Sequence, residues 1–176
     1  MDNTIYKKRR DNLEEILPNN SVLLLPGADL QYRNADSAHA FRQESSFFYF
    51  SGFCEPSSLI VIINNDMGLS SIIFVPPKDK LKEIWDGHRA GPIGAVDNFM
   101  FDKAYDNSQI DSMMPDILQG SEQVLYSIGK KQGFDQKVIE RKMFNRTRTL
   151  DFENYSVVRD IFGSSWVYVG WSDVVW

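Results

Sequence analysis

The sequence predicts an α/β domain whose mixed β-sheet is flanked by helices. Three observations carry that expectation. Short apolar runs, in part β-branched, recur at residues 21–27, 58–63, 71–75 and 123–128. Segments with apolar residues at helical spacing fall among them at 4–17, 109–120 and 134–145. Gly, Pro, Asn and Asp punctuate the boundaries. A chain that mixes strands and helices in this way packs helices against a sheet.

Taken in order, residues 4–17 read as a first helix, with Ile5, Leu13, Ile16 and Leu17 on one face and Pro18-Asn19-Asn20 ending it. "SVLLLPG" (21–27) reads as a buried strand closed by a Pro-Gly turn. "SLIVII" (58–63) and "SIIFV" (71–75) read as a hairpin, because Asn64, Asn65, Asp66 and Gly68 lie between them and Pro76-Pro77 stops the second run. In 109–120, Ile110, Met113, Met114, Ile117 and Leu118 fall at helical spacing, although Pro115 removes a backbone donor from the interior. "QVLYSI" (123–128) is a further strand. Residues 134–145 are a further helix, with Phe134, Val138, Ile139 and Phe144 near one face.

Composition bounds the rest. At 176 residues and 43% hydrophobic content, one compact domain with a real core is expected. A formal net charge of -5 argues against nucleic acid as a partner, since phosphate binding needs a basic surface. The basic run Lys7, Lys8, Arg9, Arg10 reads as a solvated helix face. A single cysteine, Cys54, excludes an intrachain disulfide and fits a cytoplasmic setting. No apolar run approaches the roughly 20 residues of a membrane span, so no membrane partner is expected.

Self-contained chemistry is not encoded in an obvious form. His39 and His88 are the only histidines, and neither belongs to a zinc-type motif. Cys54 reads as a buried thiol in an aromatic cluster rather than a nucleophile. Gly87, Gly91 and Gly94 do not form a phosphate loop. Spacing alone therefore supplies no catalytic residue and no metal ligand set.

The stretch "RNADSAHAFRQESSFFYFSGFCEPSSLIVI" (33–62) adds more. Its Arg33, Asp36, Phe41, Arg42, Gln43, Ser45, Phe47, Tyr49, Gly52, Phe53, Glu55 and Pro56 resemble the signature of the amino-terminal domain of Xaa-Pro aminopeptidase (aminopeptidase P). A second block, "KEIWDGHRAGP" (82–92), is similar to the same family's Glu-Ile-Trp-x-Gly-x-Arg segment. Prolidases share a related Phe-Arg-Gln…Glu-Pro segment and are the near alternative; creatinase-type proteins share the fold with a weaker match. The resemblance covers roughly 4–150, which leaves 151–176 as an atypical linker or tail.

That resemblance implies the fold of the creatinase/aminopeptidase P amino-terminal domain, without the pita-bread catalytic domain. It implies a non-catalytic role in oligomer assembly and in closing the substrate cleft. The implied partners are a carboxy-terminal catalytic domain, neighbouring subunits of a homo-oligomer and a peptide with proline second. No cofactor is expected in this chain; a dinuclear manganese site is expected in the full-length enzyme. By motif position, Asp36 and Trp85 would reach the active site of a neighbouring subunit, against local readings as a turn cap and a core ring. A free-standing binding or assembly module and a regulatory subunit of a complete enzyme stay open beside this reading.

Physically, the aromatic run 47–53 reads as strand-like, with Phe47 and Tyr49 on one face and Phe48 and Phe50 on the other. Rings on both faces suit a covered strand, so they are expected to build core rather than stack on bases. Arg42 and Glu44 are expected to fix a turn through ion pairs.

Overall fold

The computed structural model describes residues 3–34, 37–79, 81, 83–84, 87–127, 129, 131, 133–138 and 167–169. The apolar runs form the strands the sequence predicts: β1 (Ser21–Pro26), β4 (Leu59–Asn65), β5 (Gly68–Val75) and β7 (Gln123–Tyr126). A small antiparallel pair, β2 (Tyr32–Asn34) and β3 (Ser37–Ala38), stands apart from the main sheet. Strands β6 (Lys103–Asp106) and β8 (Val167–Val169) complete a six-stranded sheet of order β6-β5-β4-β1-β7-β8. The sheet is mixed. β1 runs antiparallel to β4 and parallel to β7, β5 runs antiparallel to β4 and parallel to β6, and β8 runs antiparallel to β7.

The β4–β5 hairpin closes tightly. Asn65 pairs with Gly68 across a turn of Asp66 and Met67. The Asn65 side chain accepts a hydrogen bond from the Met67 amide at 3.0 Å, and Gly68 adopts φ +100, a conformation that costs glycine little.

Alternation along the central strands sorts the core into two layers. Leu23 and Leu25, Ile60 and Ile62, and Ile73 and Val75 face one side. Val22 and Leu24, Leu59 and Val61, and Ile72 and Phe74 face the other. The first side is covered by Leu13 and Leu17 near the chain start, by α2 (Ser45–Ser51) through Phe47 and Phe50, and by α3 (Gly91–Phe99) through Ala95. The second side is covered by α4 (Ile110–Gln119) through Met114 and Leu118, and by helical residues 133–138 through Val138. Helix α4 keeps its apolar stripe through Pro115, at the cost of one intrahelical donor. Of the predicted helix 134–145, residues beyond 138 lie outside the described residues, as does Ile128 of the predicted strand 123–128.

The first helix differs from expectation. It is α1 (Thr4–Asp11) followed by a 3₁₀ turn at Asn12–Glu15. Its buried stripe is Tyr6, Arg10, Leu13 and Leu17, whereas Ile5 and Ile16 are half exposed. The basic run is correspondingly not one solvated face. Lys7 pairs with Asp11 at the surface, Arg9 lies over the Tyr49 ring, and Arg10 is only 1% exposed. The Arg10 guanidinium donates to the carbonyls of Phe50 (2.7 Å), Phe99 (2.9 Å) and Met100 (2.7 Å), and it packs over the Phe101 ring at 4.0 Å. Burial pulls its pKa down to about 10, which still leaves it charged at neutral pH.

The aromatic run is helical, not a strand. Glu44, in extended backbone, caps α2 by accepting a hydrogen bond from the Phe47 amide at 2.8 Å. Gly52 ends the helix in the left-handed region, with its amide bonded to the Phe48 carbonyl. The buried rings are therefore Phe47 and Phe50, one helical turn apart, and Phe53 beyond the cap. Phe48 and Tyr49 stay partly exposed, at 36% and 50%. The rings do build core, but with helical rather than alternating geometry. Cys54 is exposed and so is not the buried thiol expected from its neighbours.

Two expectations follow for stability. Phe47→Ala or Phe53→Ala empties a fully buried aromatic site and is expected to cost about 3–5 kcal/mol in denaturant unfolding. Arg10→Ala removes three hydrogen bonds to backbone carbonyls and is expected to cost on the order of 3 kcal/mol in the same measurement. An unchanged unfolding midpoint would refute the corresponding assignment.

Candidate functional site

The carboxyl ends of β1, β5, β6 and β7 and the start of β4 lie along one edge of the sheet. Both sequence blocks, 33–62 up to the start of β4 and 82–92, sit in connections that leave this edge. Leu30, Tyr32, Leu81 and Ile84, on the same connections, are exposed apolar side chains.

Gln43 organises the first connection. Its Oε1 accepts hydrogen bonds from the amides of Ala28 (2.7 Å) and Glu44 (3.0 Å). Its Nε2 donates to the carbonyls of Phe53 (3.2 Å) and Glu55 (3.0 Å). One side chain thus stitches the exit of β1 to the entry and exit of α2. Gly27 fits beneath it: a β-carbon there would stand 3.1 Å from both Gln43 Oε1 and the Ser58 carbonyl.

Glu55 joins the two blocks. Its Oε1 accepts a hydrogen bond from the Ala90 amide at 2.7 Å, across 35 residues of sequence. Its Oε2 is buried and has no hydrogen-bond partner among the described residues. Burial pushes the Glu55 carboxyl above its usual pKa, against the opposing pull of the Ala90 amide and of nearby Arg89 and His88. Within the second block, Glu83 accepts a hydrogen bond from the Arg89 amide at 2.9 Å, and its carboxylate lies 3.3 Å from His88 Nδ1. The Arg89 amide holds the Glu83 carboxyl below its usual range.

A cleft of about 510 Å³ opens at the ends of the parallel pair β1 and β7. Gly27, Asp29, Arg42, Gln43, Ser127 and Lys131 are among its lining residues, and Lys131 pairs with Asp29 at 2.8 Å. From β1 the chain runs to α2 on one face, and from β7 to residues 133–138 on the other. That divergence is a topological switch point, where open α/β sheets place their ligands. Arg42 lines this cleft, and Glu44 fixes the start of α2 as its cap. No sequence signal marked the cleft, because it depends on which strands pair in parallel.

Asp36 and Trp85 lie outside the described residues. Their described neighbours are Asn34 and Ser37, both exposed, and Ile84, 72% exposed. Among the described residues, no group of three or more His, Cys, Asp or Glu side chains comes together as a metal site.

Residues 6–126 match the family described as aminopeptidase P, N-terminal domain. The chain belongs to this family. As an aminopeptidase P amino-terminal domain, it is 33% identical over 126 residues to the Xaa-Pro aminopeptidase of Escherichia coli, covering 71% of this chain and 29% of that protein. It is 32% identical over 126 residues to intermediate cleaving peptidase 55 of Saccharomyces cerevisiae, covering 70% of this chain and 25% of the relative. The crystal structure of E. coli aminopeptidase P with product superposes at a TM-score of 0.76, with 31% identity over 80% of this chain and 32% of the other. The aminopeptidase PepP of Pseudomonas aeruginosa gives a TM-score of 0.75 at 32% identity, with the same coverage. The domain therefore spans about a quarter to a third of the length of these relatives.

The raised Glu55 pKa gives a signed pH dependence. A carboxyl whose folded pKa exceeds its unfolded value contributes stability below the unfolded value, and that contribution is lost as pH rises through the folded pKa. Glu55→Gln should therefore gain stability relative to the parent as pH rises above 4.5. Urea midpoints of both proteins across that range test this; a constant difference would show that Glu55 is not desolvated.

Proposed function

We propose that this domain is the non-catalytic amino-terminal part of a manganese-dependent Xaa-Pro metalloaminopeptidase. It serves oligomer assembly and closure of the substrate cleft. The observation that carries this reading is the family match over 6–126, with both signature blocks on one sheet edge and joined by Glu55 and Ala90. Exposed Leu30, Tyr32, Leu81 and Ile84 on the connections that leave that edge suit docking against a catalytic domain or a neighbouring subunit. In this reading the metals belong to the catalytic domain, where two ions would share the charge that develops during hydrolysis. Asp36 and Trp85 are the residues proposed to read the peptide in trans. A carboxylate attracts the peptide's free ammonium, and a flat ring packs on its first side chain.

The test has two parts. The pure 176-residue chain should not cleave an Xaa-Pro peptide, with or without manganese; metal-dependent turnover lost on chelation would overturn the non-catalytic reading. When the domain is joined to the catalytic part of the E. coli enzyme, Asp36→Ala and Trp85→Ala should each lower kcat/KM by about tenfold or more with metal content and folding intact. Hybrid oligomers of either variant with a metal-ligand variant should recover activity once subunit exchange is confirmed by native mass. Normal single variants, or exchange without recovery, would remove the role in trans.

A further inference from the structure

We propose that the cleft at the ends of β1 and β7 binds a small organic monocarboxylate, held by the guanidinium of Arg42. Four of the residues that line it carry charge: Asp29, Arg42, Glu44 and Lys131. Three of these are engaged within the fold. Lys131 Nζ donates to Asp29 at 2.9 Å, and Asp29 also accepts from the Ser57 hydroxyl at 2.9 Å. Glu44 Oε2 accepts from the Phe47 amide at 2.8 Å. The exposed Arg42 side chain has no hydrogen-bond or ion-pair partner among the described residues. The same holds for the side chains of Gln31 and Ser45, which also line the cleft. One uncommitted cation and two uncommitted neutral donors are therefore available to a ligand.

The backbone that carries two of these groups is fixed in advance. Gln43, next to Arg42 in the chain, bonds to Ala28, Glu44, Phe53 and Glu55. Ser45 begins α2, directly after its Glu44 cap. A ligand thus does not have to order the chain before it meets Arg42 and Ser45. Its class follows from the charge of the wall. Arg42 and Lys131 balance Asp29 and Glu44, so a dianion such as phosphate meets no net attraction. A monocarboxylate instead matches the single free fork of Arg42, which can donate to both of its oxygens. Leu25, Pro26, Gly27 and Ala28 form a less polar part of the lining and suit a short apolar body on that carboxylate. A volume of about 510 Å³ is in the range of small-molecule sites.

The probes are N-acetyl-leucine, its neutral amide N-acetyl-leucinamide, and inorganic phosphate. In amide proton–nitrogen correlation spectra of the 176-residue chain, N-acetyl-leucine should shift the Ala28, Asp29 and Ser45 signals saturably, with a Kd of about 1 mM. The amide and phosphate should each bind about tenfold more weakly or not at all. Arg42→Met should weaken N-acetyl-leucine about tenfold, and Arg42→Lys less, because an ammonium keeps the charge without the planar fork. Arg42 is exposed, so both variants should keep the parent's signals away from the cleft. Equal binding of acetyl-Gly-Gly-Leu would assign the carboxyl end of a peptide, and weaker binding a free acid; both keep the carboxylate site. Absence of a saturable shift with N-acetyl-leucine overturns the site. Equal binding of the neutral amide, or phosphate binding as tightly as the acid, overturns the ligand class. Undiminished affinity in Arg42→Met removes Arg42 as its anchor.

Discussion

Arg10 is the constraint on which the helical layer depends. A guanidinium with 1% exposure has lost its water, and burying a charge is tolerated only where other groups replace that solvation. Here three backbone carbonyls do so, at the carboxyl ends of α2 and α3, where the helix dipole is negative. The Phe101 ring supplies a fourth contact through its electron-rich face. Helices α2 and α3 have 7 and 9 residues, too short to persist alone. Arg10 ties both to α1, while Phe47, Phe50 and Ala95 seat them on the sheet. Orientation comes from the charge, and cohesion comes from the apolar face.

That arrangement also fixes what stands behind one edge of the sheet. Helix α2 enters from Gln43 and leaves through Gly52, where any β-carbon would run into the Tyr6 ring. Both ends of α2 are thus fixed against their neighbours. Beyond it, Gln43 bonds to the Glu55 carbonyl, and the Glu55 side chain accepts from the Ala90 amide at the start of α3.

Much of the fold was legible because its strands are short apolar runs bounded by turn residues, as in Leu59–Asn65 and Gly68–Val75. The helical stripe at Tyr6, Arg10, Leu13 and Leu17 was hidden because a charged residue occupies one of its positions, and pattern reading counts arginine as polar. The aromatic run was misassigned for a related reason. Ring residues favour strands by propensity, yet the Glu44 cap and Gly52 decided for a helix. Of the site, the two blocks were legible through their family resemblance. Their contact was not, since the Glu55–Ala90 bond spans residues that no local pattern relates. The cleft between β1 and β7 was equally hidden, because parallel pairing joins segments a hundred residues apart in the chain.

The four bonds of Gln43 have a consequence in the genetic code. Its oxygen accepts from two amides and its nitrogen donates to two carbonyls, so the side chain has a single workable orientation. A glutamine codon becomes a glutamate codon by changing its first base alone. The resulting side chain has nearly the same shape, but it would turn a second oxygen toward the Phe53 and Glu55 carbonyls, where acceptor would face acceptor. A substitution one base away and nearly the same in size is thus one this position tolerates poorly, because the identity of a single atom decides the fit.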